Sequence, residues 1–119
     1  MNNLIYRKSM KFSSDIIKLY KFFVNYKKEF IISKQLLRSG TSIGANIIEG
    51  LHGESRKDFL HKMNIALKEA AESEYWIMIL NENNYLDDYS AHKSLLNDCI
   101  ELNKILRKIV KTTKENLSN

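Results

Sequence analysis

The stretch Gln35-Leu-Leu-Arg-Ser-Gly-Thr-Ser-Ile-Gly-Ala-Asn-Ile-Ile-Glu-Gly50 sets the fold. Leu36, Gly40, Ile43, Ile47 and Gly50 recur at steps of three and four, the period of one helical face. Ser39, Gly40, Ser42, Gly44 and Ala45 are all small. A glycine inside a helix costs about 1 kcal/mol against alanine, so Gly40 and Gly44 need an offsetting gain. Close approach of a neighbouring helix supplies one. A phosphate-cradling loop is the alternative, but no strand pattern precedes the segment and no Gly-Lys-Ser/Thr follows it. The reading is a packed helix over 33–52, with Ser33 as its N-cap and a stop between Gly50 and Gly53.

Working outward, three more helices are expected. Upstream, Phe12, Ile16, Leu19, Phe23, Tyr26 and Phe30 alternate steps of three and four and predict a helix over 9–28, begun by Ser9 or Ser13. At about 100° per residue its apolar side chains, Ile17, Tyr20, Phe22 and Val24 among them, cover roughly 220°. That is about twice the arc that one core needs. A helix buried around much of its girth is one explanation; a second buried surface, hence self-association, is the one favoured here. Downstream, Ser55-Arg-Lys-Asp58 resembles a capping box with aspartate in place of glutamate. It opens a helix over 55–84 with Phe59, Met63, Ala66, Ala70, Ile77 and Leu80 on its seam. Asp87 or Asp88 then caps a helix over 88–114, striped by Tyr89, His92, Leu95, Cys99, Leu102, Leu106 and Ile109. Short connections favour antiparallel neighbours. The expected architecture is all-α, one up-down-up-down antiparallel four-helix bundle domain over 1–119.

Composition agrees. The 119 residues include no proline and four glycines, 44% are hydrophobic and 28% charged, values of a globular chain and not a disordered one. No apolar run reaches the roughly 18 residues of a membrane span. Residues 1–15 lack the apolar core and cleavage site of a secretory signal. Cys99 stands alone, which excludes an internal disulfide and fits a reducing compartment. A cytoplasmic location is expected.

The net charge of +5 is unevenly spread. Residues 1–53 carry nine basic and three acidic side chains, residues 54–101 five and ten, and residues 102–119 five and one. Such a distribution suits a polyanion, or subunits that pair electrostatically. Lys104, Arg107, Lys108, Lys111 and Lys114 fall within an arc of roughly 120° on the last helix, at about 100° per residue. A solvated helix end, where cations also complement the dipole, is the plainer reading of that stripe. Lys18 and Lys21 share the narrow polar face of the first helix, with Lys28 close to it. Exposed tyrosines such as Tyr6, Tyr85 or Tyr89 would add base stacking. No groove-reading motif is present, so binding through these groups favours backbone and shape over base sequence.

Catalytic equipment is not visible. His52, His61 and His92 lack zinc-ligand spacing, and one cysteine cannot complete such a set. There is no Glu-x-x-His repeat for a di-metal bundle site and no Gly-x-Ser-x-Gly elbow. Cys99 reads as a small core residue. The chain is therefore read as non-enzymatic, without cofactor or metal.

The 35–50 stretch closely resembles the signature of the four-helix bundle proteins encoded within intervening sequences of bacterial 23S rRNA genes. That pattern has Arg-Ser, then Thr-Ser-Ile-Gly-Ala-Asn-Ile, then Glu-Gly, as at 38–39, 41–47 and 49–50. The match continues through Glu54-Ser55, Lys57-Asp58-Phe59, Ile65-Ala66-Leu67 and Ala71-Glu72-Ser73-Glu74. It departs at Gly40, where the family commonly has alanine. The resemblance implies a left-handed bundle and a homopentameric ring with a basic surface. Some relatives are accessory proteins of diversity-generating retroelements, where the ring is thought to bind a reverse transcriptase and nucleic acid. Within the matched motifs Arg38, Ser39, Gly44, Asn46, Glu49, Gly50, Glu72 and Glu74 read as structural. Asn46 and Glu49 are placed near the seam of the second helix and Glu74 near that of the third, with Arg38 pairing Glu72 or Glu74. Taken together, the expectation is an oligomeric module binding RNA, or less readily DNA, through basic surfaces. The alternative is a scaffold for a nucleic-acid enzyme such as a reverse transcriptase.

Overall fold

The computed structural model describes residues 3–118. Among the described residues there are four α-helices and no strand: α1 Leu4–Phe22, α2 Ile32–Leu51, α3 Arg56–Glu82 and α4 His92–Ser118. They pack into a rod of 51 × 24 × 22 Å. The seam of α2 is buried as its period predicts: Leu36, Gly40, Ile43, Ile47 and Gly50 all face the core. So do Met63, Ala66, Ala70, Ile77 and Leu80 of α3, and Leu95, Cys99, Leu102 and Leu106 of α4.

Helix ends depart from the sequence reading where side-chain caps were misassigned. α1 starts at Leu4, well before Ser9 or Ser13, because Asn3 Oδ1 accepts the Tyr6 N–H at 3.2 Å. Ser9 is instead a buried helical residue whose hydroxyl bonds the Tyr6 carbonyl at 2.7 Å. After Phe22 the chain continues as one π-helical turn, Phe23–Lys27, closed by Lys28 in the left-handed region at φ 58°.

Ser33 does not cap α2 and lies buried inside it. The cap is Glu29, whose carboxylate accepts the N–H groups of Ile31, Ile32 and Ser33 at 3.0, 3.0 and 2.7 Å. Ser55 does cap α3, accepting the Asp58 N–H at 3.1 Å. Neither Asp87 nor Asp88 caps α4, which begins at His92. Leu86 is fully buried and draws the preceding turn onto the core. Turn bonds from Tyr89 N–H to Leu86 and from His92 N–H to Tyr89 then carry the chain to the helix. At its other end α4 runs past Lys114 to Ser118.

The glycines of α2 sit where helices crowd. A Cβ on Gly40 would stand 3.0 Å from Ile16 Cγ1, one on Gly44 3.2 Å from Ser9 Oγ, and one on Gly50 3.0 Å from Lys62 Cβ. Polar pairs fix the relative heights of the helices. Lys8 meets Glu101, Lys11 meets Asp98 at 3.3 Å and Lys27 meets Asp88 at 2.8 Å. Inside the core, Ser39 Oγ and Ser73 Oγ lie 2.8 Å apart, and Asn103 Nδ2 donates to the Ala70 carbonyl at 3.3 Å.

The core takes Ile5, Phe12, Ile16, Leu19 and Phe23 from α1 and its π turn. It leaves Leu4, Met10, Ile17 and Tyr26 exposed at 54%, 52%, 41% and 76%. Of the side chains that widen the predicted stripe, Ile17 alone is exposed, whereas Tyr20, Phe22 and Val24 are half-buried.

Candidate nucleic-acid interface

All eight predicted cations are exposed: Lys18, Lys21, Lys28, Lys104, Arg107, Lys108, Lys111 and Lys114. The ion pairs of the described residues use other bases, Lys8, Lys11, Lys27, Arg38 and Lys62, so none of the eight is tied to a carboxylate within 4.0 Å. The eight do not form one patch. Lys18 lines a polar pocket with Tyr89 and Ser94, at the start of α4. From Ser94 to Lys104 is roughly 15 Å along the helix, and the paired groups Lys8, Lys11, Asp98 and Glu101 occupy that interval. The α4 cations lie beyond it, in the C-terminal part of that helix.

The three tyrosines proposed for stacking are only partly available. Tyr6, Tyr85 and Tyr89 are half-buried and packed against the core, Tyr89 with its ring 5.0 Å from Phe22. The well-exposed aromatics are Tyr26, Phe30 and Tyr75. The three-four spacing of α1 predicts a buried stripe that includes Tyr26 and Phe30. The π turn and the left-handed Lys28 end that stripe early.

The motif residues serve packing and pairing. Arg38 reaches Glu69 at 2.9 Å and also Glu72, not Glu74. Glu74 stands on the α4 side of α3 and accepts Asn103 Nδ2 at 2.8 Å. The Trp76 indole N–H, 2.9 Å away, and the Arg38 guanidinium hold the Glu72 carboxyl below its usual range. Glu49 is not at the seam; it is exposed and pairs with Lys62 at 3.0 Å. Asn46 is half-buried, its amide donating to the Ser42 carbonyl at 2.8 Å.

Cys99 is buried, and burial, with Glu74 and Asp98 nearby, pushes its thiol up to about 12. Such a thiol is not a nucleophile. Among the described residues no group of three His, Cys, Asp or Glu side chains is placed to hold a metal ion. No helix among them is long and apolar enough to cross a membrane.

Two grooves escaped the sequence reading. One, of about 280 Å³, runs between α1 and α2 and is lined by Met10, Ile17, Gly44, Ala45 and Ile48. The other, of about 340 Å³, lies between the start of α3 and the end of α4, where Arg56 and Phe59 face Lys108, Ile109, Thr112 and Thr113. In sequence Arg56 is part of a capping-box pattern, and no local signal joins it to residues fifty positions away.

Residues 1–108 match the family described as 23S rRNA-intervening sequence protein. Among solved structures, the chain is similar to a protein of unknown function from the S23 ribosomal protein family of Bacteroides thetaiotaomicron. The two share 51% identity over 92% of this chain and 96% of that one, with a TM-score of 0.86. No curated protein matches.

Proposed function

The chain belongs to the 23S rRNA-intervening sequence protein family, and from that premise we propose that it is a non-catalytic, oligomeric module that binds nucleic acid, RNA in preference to DNA, through its basic surfaces. The observation that carries this reading is the run of five exposed, carboxylate-free cations at 104–114, in a stretch with Glu115 as its one acid. Free cations spaced along one helix attract phosphates and release counterions when they bind them. Assembly of identical subunits, a pentamer by the family resemblance, repeats the stripe and strengthens it. The exposed Met10 and Ile17 support that assembly, since an apolar patch of this kind gains by burial.

The pairings Lys8 with Glu101, Lys11 with Asp98 and Lys27 with Asp88 support an antiparallel course of α1 and α4, the one number rising as the other falls. Arg38 with Glu69 and Glu49 with Lys62 support the same for α2 and α3. The left-handed sense rests on the resemblance. So do the bacterial origin and, with the lone Cys99, a cytoplasmic location.

The test is binding to a structured RNA at two salt concentrations. Affinity should fall steeply as salt rises, with a log–log slope of about −0.7 to −0.9 per phosphate neutralised. Replacing Lys104, Arg107 and Lys108 together by Glu should weaken binding at least about tenfold and flatten that slope. Absence of binding at low salt would remove the reading.

A scaffold role for an acidic partner, such as a reverse transcriptase, is the second reading. Exposed Tyr75 and Met78 favour it, because they line one shallow pocket with Arg107 and so set apolar surface beside a cation, as a protein contact uses.

A further inference from the structure

We propose that the groove between the start of α3 and the end of α4 is a subsite for an unpaired nucleobase, so that the ligand is single-stranded or looped RNA and not a continuous duplex. The inference rests on the nucleic-acid reading above and specifies its ligand. The floor of the groove is apolar: Phe59 and Ile109 are half-buried, and Thr113 spends its hydroxyl on the Ile109 carbonyl at 2.7 Å. Its rims are cationic. Arg56 stands on one side and Lys108 on the other, both exposed and neither in an ion pair among the described residues.

A phosphate gains nothing from an apolar floor, whereas a base does. In a duplex the bases are stacked inside the helix, so no base face is free to enter the groove. An unpaired base instead presents a flat face that stacks on aromatic rings and on guanidinium planes. Phe59 and Arg56 are those two groups. With the base seated between them, its flanking phosphates would lie over the α4 cations, Lys108 at the edge of the groove and Lys104, Arg107 and Lys111 beyond it. Asp58 and Glu115 lie close in sequence to the rims, yet residues 104–115 still hold five cations against one anion. At about 340 Å³ the groove falls at the low end of ligand sites, roughly 300–1,000 Å³. Thr112 is exposed at its mouth, so a larger side chain there would fill the groove without disturbing the core or the charge.

The experiment compares a single-stranded RNA with a blunt duplex of equal phosphate count, measured by fluorescence anisotropy on the full chain and on Thr112→Leu, which fills the mouth without adding a ring. The strand should bind about tenfold more tightly than the duplex, as one stacked base supplies. Thr112→Leu should reduce that preference and leave the salt slope of the duplex unchanged; circular dichroism checks that the variant is folded. Arg56→Lys, which keeps the charge and loses the plane, should reduce the preference in the same direction. Equal affinity for strand and duplex, or a strand affinity indifferent to Thr112→Leu, overturns the subsite while leaving nucleic-acid binding standing. Failure of both RNAs to bind at low salt overturns both readings. If Thr112→Leu leaves strand affinity intact but abolishes binding of a Leu/Glu-rich peptide, the groove belongs to a protein partner and the proposal falls.

Discussion

Gly40 marks the tightest contact between α1 and α2. A methyl group there would lie 3.0 and 3.1 Å from the two Cγ atoms of Ile16, a stiff β-branched side chain with little room to turn. Alanine would add about 1 kcal/mol of helix propensity, but overpacking costs about 1–3 kcal/mol. Gly40→Ala should therefore destabilise the chain by about 1 kcal/mol in urea unfolding. Ile16→Ala removes both offending carbons, so the double variant should lose less than the two single changes added together. Strict additivity would show that the contact carries no strain.

The joint between α1 and α2 depends on a side chain the sequence does not advertise. Burial alone pushes the Glu29 carboxyl up, but N–H groups of Ile32, Ser33 and Ile31 and the Ser33 hydroxyl outweigh it and hold it below its ordinary 4.5. A carboxyl depressed on folding contributes stability above its unfolded pKa and loses it as pH falls through the lower folded value. Glu29→Ala should cost about 1 kcal/mol at pH 7, the usual worth of a cap, and the gap to the wild type should narrow below pH 4. Thermal melts at pH 7 and pH 3 with the same gap would contradict this. The same joint shows what the sequence made legible. Period alone placed the seam of α2 and most of those of α3 and α4, because core positions repeat at 3.6 residues; Phe59, His92 and Ile109 of the predicted stripes are half-buried, and Val110 and Thr113 complete the seam of α4. Caps were harder, since Ser33, Asp87 and Asp88 have the right chemistry, and only the folded geometry shows that Glu29 and the buried Leu86 prevail. The cationic stripe of α4 was readable because one helix carries all of it. Arg56 and Phe59 were not, because they meet that stripe only through the packing of α3 on α4.

The proposed assembly would decide how these surfaces are presented. Met10 and Ile17 are exposed in the subunit, so replacing both by Glu should leave the fold intact while opposing burial of the α1–α2 groove. Light scattering should find the wild type as a multiple of 14.0 kDa and the variant smaller. A wild type that runs as a single subunit at micromolar concentration would remove oligomerisation from the proposal. Such measurements are helped by the sealed thiol of Cys99. Because it lies in the core and stays protonated at neutral pH, a maleimide dye will pass it by. A cysteine introduced at Thr112 would then take the label alone, with no need to replace the native one, and would report directly from the mouth of the groove.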